Sequence, residues 1–91
     1  MARQIHVEFV AVDASVWSGE ADMLVARTTE GELGVLAGHA PLLGQLAEPS
    51  EVRIKRPDGD LAWQVPGGFL SVTAEGVTVL AESAEPTTPS R

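Results

Sequence analysis

Residues 31–43 read Gly31-Glu32-Leu33-Gly34-Val35-Leu36-Ala37-Gly38-His39-Ala40-Pro41-Leu42-Leu43. Three glycines and a proline fall within the first eleven of them. Gly supplies φ > 0 and Pro fixes φ, so together they demand an irregular backbone. A helix here could run for one turn at most, because Gly34, Gly38 and Pro41 interrupt it. An ordinary surface loop is polar, yet this one carries Leu33, Val35, Leu36, Leu42 and Leu43. A segment both conformationally demanding and apolar needs something to bury against, either its own core or a partner.

On both sides of this stretch the apolar residues recur with period 2. Met23 to Thr29 is a β-compatible run that carries the chain into Gly31, and Leu42 to Leu46 leaves as a short strand closed by Glu48-Pro49-Ser50. Ile5, Val7, Phe9 and Ala11 alternate with His6, Glu8 and Val10, as a half-buried strand requires. Val52 and Ile54 oppose Glu51, Arg53 and Lys55, and Leu61, Trp63 and Val65 return after Pro57-Asp58-Gly59-Asp60, whose Asp-Gly pair suits positive φ. A second hairpin joins Phe69–Thr73 to Val77–Ala81 around Ala74-Glu75-Gly76. Strands spaced about every ten residues predict an all-β protein, a two-layer β-sandwich or flattened barrel of short antiparallel strands. Trp17 and Trp63 fall on the apolar phase and read as core. From Glu82 the pattern is lost, so one domain over residues 1–84 and a disordered tail over 85–91 are expected.

The chain has 91 residues, enough for one small domain, and 44% of them are hydrophobic, too many for a disordered protein. Its core must be aliphatic, since Trp17, Trp63, Phe9 and Phe69 are the only aromatics. Without cysteine it has no disulfide, thiolate nucleophile or thiolate metal site, which fits a reducing compartment. A net charge of −7 repels polyphosphate ligands unless a local patch overrides it, and the only basic cluster is Arg53, Lys55 and Arg56. Outward Arg and Lys on a strand discourage edge pairing, a simpler account than a nucleic-acid patch when no aromatics interleave. No apolar run approaches the roughly 18 residues of a membrane span, and the N-terminus leads directly into a strand pattern. The expectation is a protein made and used in the cytosol, touching a membrane only through partners.

No catalytic constellation emerges. His6 and His39 are the only histidines and neither sits in a nucleophile-elbow motif. Far apart and without cysteine, they lack metal-ligand spacing. Phosphate loops end on a helix N-terminus, whereas Gly38 precedes His-Ala-Pro and Gly67-Gly68 leads into a strand. Catalytic, cofactor and metal residues are therefore expected to be absent, and nucleotide binding on these loops is rejected. For His39 two accounts stay open: its ring caps loop carbonyls, or it lies at a protein–protein contact.

The stretch from Gly31 to Pro41 closely resembles the G-E-[LI]-G-[IV]-x-x-x-H-x-P signature of the epsilon subunit of F-type ATP synthases. The likeness extends upstream to Val16-Trp17-Ser18-Gly19-Glu20-Ala21. Downstream it takes in Gly67-Gly68-Phe69-Leu70-Ser71-Val72 and Val77-Thr78-Val79-Leu80-Ala81-Glu82, so that residues 4 to 84 are covered in order. Such subunits carry an N-terminal β-sandwich and a two-helix C-terminal domain. The resemblance implies a non-catalytic rotor subunit of the central stalk of a proton-translocating synthase. It would bind the gamma subunit along one side and rest its end loops on the c ring, coupling proton-driven rotation to ATP synthesis in the catalytic head. Carried over, Glu30, Gly31, Glu32, Leu33 and Gly34 resemble the segment that meets the ring, with Glu32 as an exposed acceptor. Without the resemblance, Glu32 would read as an ordinary solvated acid. His39, Ala40, Pro41 and Leu42 resemble the segment near gamma. The sequence stops at Arg91, so no helical domain is expected and with it neither inhibition of hydrolysis nor bound ATP. The implied location is the cytoplasmic face of the bacterial plasma membrane, peripheral, within the complex. The alternative is a stand-alone β-sandwich module for a sugar or peptide, which would display aromatics in a groove. A hydrolase would need a polar pocket with a perturbed histidine.

Overall fold

Alternation becomes geometry in the first strand, β1 (Ile5–Ala11), where Ile5, Val7, Phe9 and Ala11 are buried while His6 faces solvent. The protein's computed structural model describes residues 4–12 and 14–88, and within them finds ten strands and no helix. The strands following β1 are β2 (Ala14–Ala21), β3 (Met23–Thr28), β4 (Gly31–Val35), β5 (Leu42–Leu46), β6 (Ser50–Lys55), β7 (Leu61–Val65), β8 (Gly68–Thr73), β9 (Gly76–Ala81) and β10 (Glu85–Thr87).

One layer runs β10-β7-β6-β3, with β4 on the far side of β3; the other runs β5-β8-β9-β1-β2. They are continuous at one corner, where Thr28 pairs with Leu46, the Thr29 amide donates to the Gln45 carbonyl and the Ala47 amide to that of Arg27. Ser50, buried beside this corner, donates its hydroxyl to the Arg27 carbonyl at 2.8 Å and accepts from the Arg27 amide at 3.2 Å. A buried hydroxyl is thereby satisfied where the sheet folds over. Between the layers lie Val7 and Phe9, Leu24 and Ala26, Leu46, Val52 and Ile54, Trp63 and Val65, Leu70 and Val72, and Val77 and Val79. Phe9 meets Trp63 edge to face, centroids 5.2 Å apart at 78°, tying β1 to β7 across the core.

The two expected hairpins form. Leu61 pairs with Ile54 across the Asp58-Gly59 turn, where Gly59 has φ +129°, and Thr73 pairs with Gly76 across Ala74-Glu75. Nearly all pairings are antiparallel as expected, but β1 lies parallel to β9, with Val7 opposite Val77. Alternation says which side of a strand is apolar and nothing about a neighbour distant in the chain, so this contact is not readable locally.

Three further features differ from the sequence expectation. Gly31–Val35 is a strand rather than irregular backbone throughout, entered through Gly31 at φ +122° and forming a tight hairpin with β3 through Thr29-Glu30. Residues 85–87 were expected to begin a disordered tail, but Glu85–Thr87 pair with the free edge of β7; residues 89–91 lie outside the described residues. All three are exposed, so the strand forms through backbone bonding with no buried face to leave a pattern. Finally, β6 lies between β3 and β7, so Arg53 and Lys55 guard no edge.

Candidate docking surfaces

His39 lies with Val35 and Leu36 at the end of β4 away from the β3–β4 turn, whereas Leu42, at the start of β5, lines one depression with Glu30 and Leu33. The β3–β4 turn is built by Thr28, whose hydroxyl donates to the Gly31 carbonyl at 2.7 Å and accepts from the Glu30 amide at 3.2 Å. Glu30, Gly31, Glu32 and Gly34 are exposed, and Leu33 is half-buried against the core. The chain then climbs β4 to the buried Val35 and bends through Gly38 at φ +86°, with the His39 amide donating to the Leu36 carbonyl. His39 donates from Nδ1 to the Ala40 carbonyl at 2.7 Å. This is the loop-capping geometry, and it still leaves the ring partly open to solvent. The greasy stretch is thus divided. Val35, Leu33 and Leu42 serve the core, while Leu36 and Leu43 stay exposed at 55% and 77%.

A larger apolar surface lies on the outer face of the β5–β2 layer. Phe69, Leu80 and Val10 are register partners across β8, β9 and β1 and form one continuous row. Phe69 and Leu80 are about half exposed, and Val12 beyond the end of β1 is 78% exposed. The row borders a shallow depression that also takes in Glu48, Pro66 and Gly67. The sequence carried a signal for it. Phe9-Val10, Phe69-Leu70 and Val79-Leu80 each put apolar residues on both phases of a strand, more than a single buried face needs.

The basic trio is absorbed by neighbours. Arg53 lies between Val25 and Ala62 in register and approaches Glu32 at 3.6 Å and Glu51 at 3.9 Å. Lys55 approaches Asp60 at 3.6 Å, and Arg56 lies 5.9 Å from the Trp17 ring centroid. On the β1–β2 ribbon His6 is bonded to Glu8 and Glu20, which together with Ser18 form a connected polar cluster. No group of three or more His, Cys, Asp or Glu among the described residues is placed to hold a metal. Trp63 is buried and Trp17 packs partly against the core, so neither lines an open aromatic groove of the kind a sugar-binding module needs.

The fold and these surfaces define a small all-β domain with an exposed apolar face. Residues 4–87 match the family model described as ATP synthase, Delta/Epsilon chain, beta-sandwich domain, and the chain belongs to that family. It is 54% identical over 81 residues to the ATP synthase epsilon chain of Frankia casuarinae, covering 89% of this chain and 95% of that one. To the ATP synthase epsilon chain of Mycobacterium avium it is 55% identical over 83 residues, covering 90% of this chain and 69% of that one. Among solved structures it superposes on a chain of the Euglena gracilis mitochondrial ATP synthase OSCP/F1/c-ring assembly. The TM-score is 0.84 at 29% identity, covering 91% of this chain but only 53%, about half, of that one. A chain of the Tetrahymena thermophila ATP synthase central stalk/c-ring shares the fold, with a TM-score of 0.70 at 18% identity over 91% of this chain and 66% of that one.

Proposed function

We infer that this chain is an epsilon-type subunit of the central stalk of an F-type ATP synthase. It turns with the stalk and couples rotation of the c ring, through gamma, to ATP synthesis in the catalytic head. It performs no chemistry itself. The observation that carries the reading is the exposed Phe69–Leu80–Val10 row on a chain of the ATP synthase delta/epsilon sandwich family. A row of large apolar side chains left in water on a rigid sheet is a docking surface waiting for a cover.

Gamma covers this face, with Val12 and Leu43 at its margins. The β3–β4 hairpin end, with Glu30, Gly31, Glu32, Leu33 and Gly34, rests on the polar loops of the c ring, and Glu32 offers its carboxylate there. His39 lies at the far end of β4, Ala40, Pro41 and Leu42 lead from it back toward Glu30 and Leu33, and the four contribute to the stalk contact. The protein works as part of the membrane-associated F1 complex, at the cytoplasmic face of a bacterial plasma membrane, and reaches the bilayer only through its partners.

The test is to mix the purified chain with gamma and follow it by gel filtration and calorimetry. A stable complex burying on the order of 1,600 Å² or more is expected. Separate elution with no heat of binding overturns the assignment.

A further inference from the structure

On the β1–β2 ribbon, His6 sits directly opposite Glu20 and two residues before Glu8. Its Nδ1 lies 3.0 Å from Glu20 Oε2 and its Nε2 lies 2.7 Å from Glu8 Oε2. The same Glu8 oxygen accepts a 2.7 Å hydrogen bond from Ser18 on β2. A neutral imidazole has one N–H and can donate to only one of these carboxylates, whereas the imidazolium donates to both. The geometry is therefore complete only when His6 carries its second proton.

What this arrangement holds is an edge. β2 is paired on one side only, to β1. Beyond that ladder it is attached by the buried Ala21 at its end, by the partial burial of Val16 and Trp17, and by Arg56 over the Trp17 ring, which leaves its Ala14–Ser15 end and its Ser18–Glu20 stretch to the ladder and the cluster. The cluster links β1 to β2 twice, through His6–Glu20 and through Ser18–Glu8. On the other side of β1, β9 places uncharged Thr78 opposite Glu8 and contains no titratable residue. Glu75 of the β8–β9 turn and His39 of the 36–41 loop line the same depression as His6 and Glu20 and are the other titratable side chains there.

We propose that His6 is a proton-operated latch on the edge strand β2, drawing it onto β1 when charged and easing it when neutral. The bond to Glu20, then that to Glu8, raises the His6 pKa above its ordinary 6.5. For a group raised on folding, the contribution is fully present below the unfolded value and fades as pH climbs through the folded one. The latch is thus shut near pH 6.5, while its carboxylate partners are ionised, and opens as pH climbs through the raised His6 midpoint. Glu8, lowered from 4.5 by Ser18 and then by His6, keeps its part of the latch charged below the usual carboxylate range.

Imidazole titration by NMR, with amide exchange measured from about pH 5.5 to 9 and normalised for intrinsic exchange, tests this on the chain alone. A His6 midpoint above 6.5 is expected. Protection of the β2 amides should fall about threefold or more through that midpoint while β8 and β9 amides hold. In His6→Gln, β2 should stay at the loose level at every pH, with β8–β9 protection certifying the fold. The latch is refuted by a midpoint at or below the ordinary value, by β2 protection that is flat across the wild-type midpoint, or by a pH dependence that survives in His6→Gln. Should the variant not fold, the wild-type titration decides alone.

Discussion

Glu32 and Arg53 reach each other over an intervening strand: their side chains lie 3.6 Å apart although β4 and β6 flank β3 on opposite sides. Arg53 stands opposite Val25 and Glu32 opposite Arg27, so the contact is diagonal. The Arg53 side chain is only 14% exposed while that of Glu32 is 67% exposed. The cation is held down against the sheet and the acid projects from it. An exposed pair of this kind is worth roughly 0–1 kcal/mol, so the carboxylate is oriented more than it is stabilising.

Reversing that charge separates docking from folding. Glu32→Lys places a cation beside Arg53 and Arg27, and is expected to shift the isolated chain's stability by about 1 kcal/mol or less. In vesicles reconstituted with the whole synthase, proton-coupled ATP synthesis should fall severalfold. Unchanged coupling would remove Glu32 from the ring contact.

The apolar row makes the complementary prediction. Phe69 and Leu80 are 55% and 51% exposed, so Phe69→Ser and Leu80→Asp should leave the thermal unfolding of the free chain within about 0.5 kcal/mol of wild type. Calorimetric affinity for gamma should drop by a factor of roughly 30 or more, the equivalent of about 2 kcal/mol expected of a central anchor. Equal affinity would move the gamma face elsewhere.

Backbone packing supplies the third. Gly68 has φ +147°, and a Cβ there would collide with the Leu80 carbonyl oxygen and come 3.1 Å from the Ala81 Cα. Gly68→Ala combines strain with a clash against the neighbouring strand, for a loss of about 3 kcal/mol or more. The melting point should drop by roughly 10–20 °C. Gly59, at φ +129° but with nothing within 4 Å of the place a methyl group would take, is the control. Gly59→Ala should cost about 1 kcal/mol from strain alone. Equal melting points for the two variants would refute the close approach at Gly68.

Much of this molecule was legible in its residues. Alternation at Ile5–Ala11 named the buried side of β1, the Pro57–Asp60 chemistry located a hairpin, and the 31–43 stretch carried the family resemblance. That stretch misled in one respect. Its glycines suggested irregular backbone throughout, yet residues 31–35 form a strand, and positive φ is used only at Gly31, where that strand begins, and at Gly38 in the connecting loop. β2 and β10 left little trace, since edge strands with mostly exposed side chains need no apolar phase.

Unaided, the residues of this chain determined the phase of the central strands and the membership of an aliphatic core. These properties depend on period, composition and spacing, all local. Tertiary structure decided that Phe69, Leu80 and Val10 share one row, that Leu42 comes to lie beside Glu30 and Leu33, and that His6 lies between two acids. Each of those depends on the register between strands remote in the chain. Register is chosen by burying every inner face at once, a condition that no single strand contains.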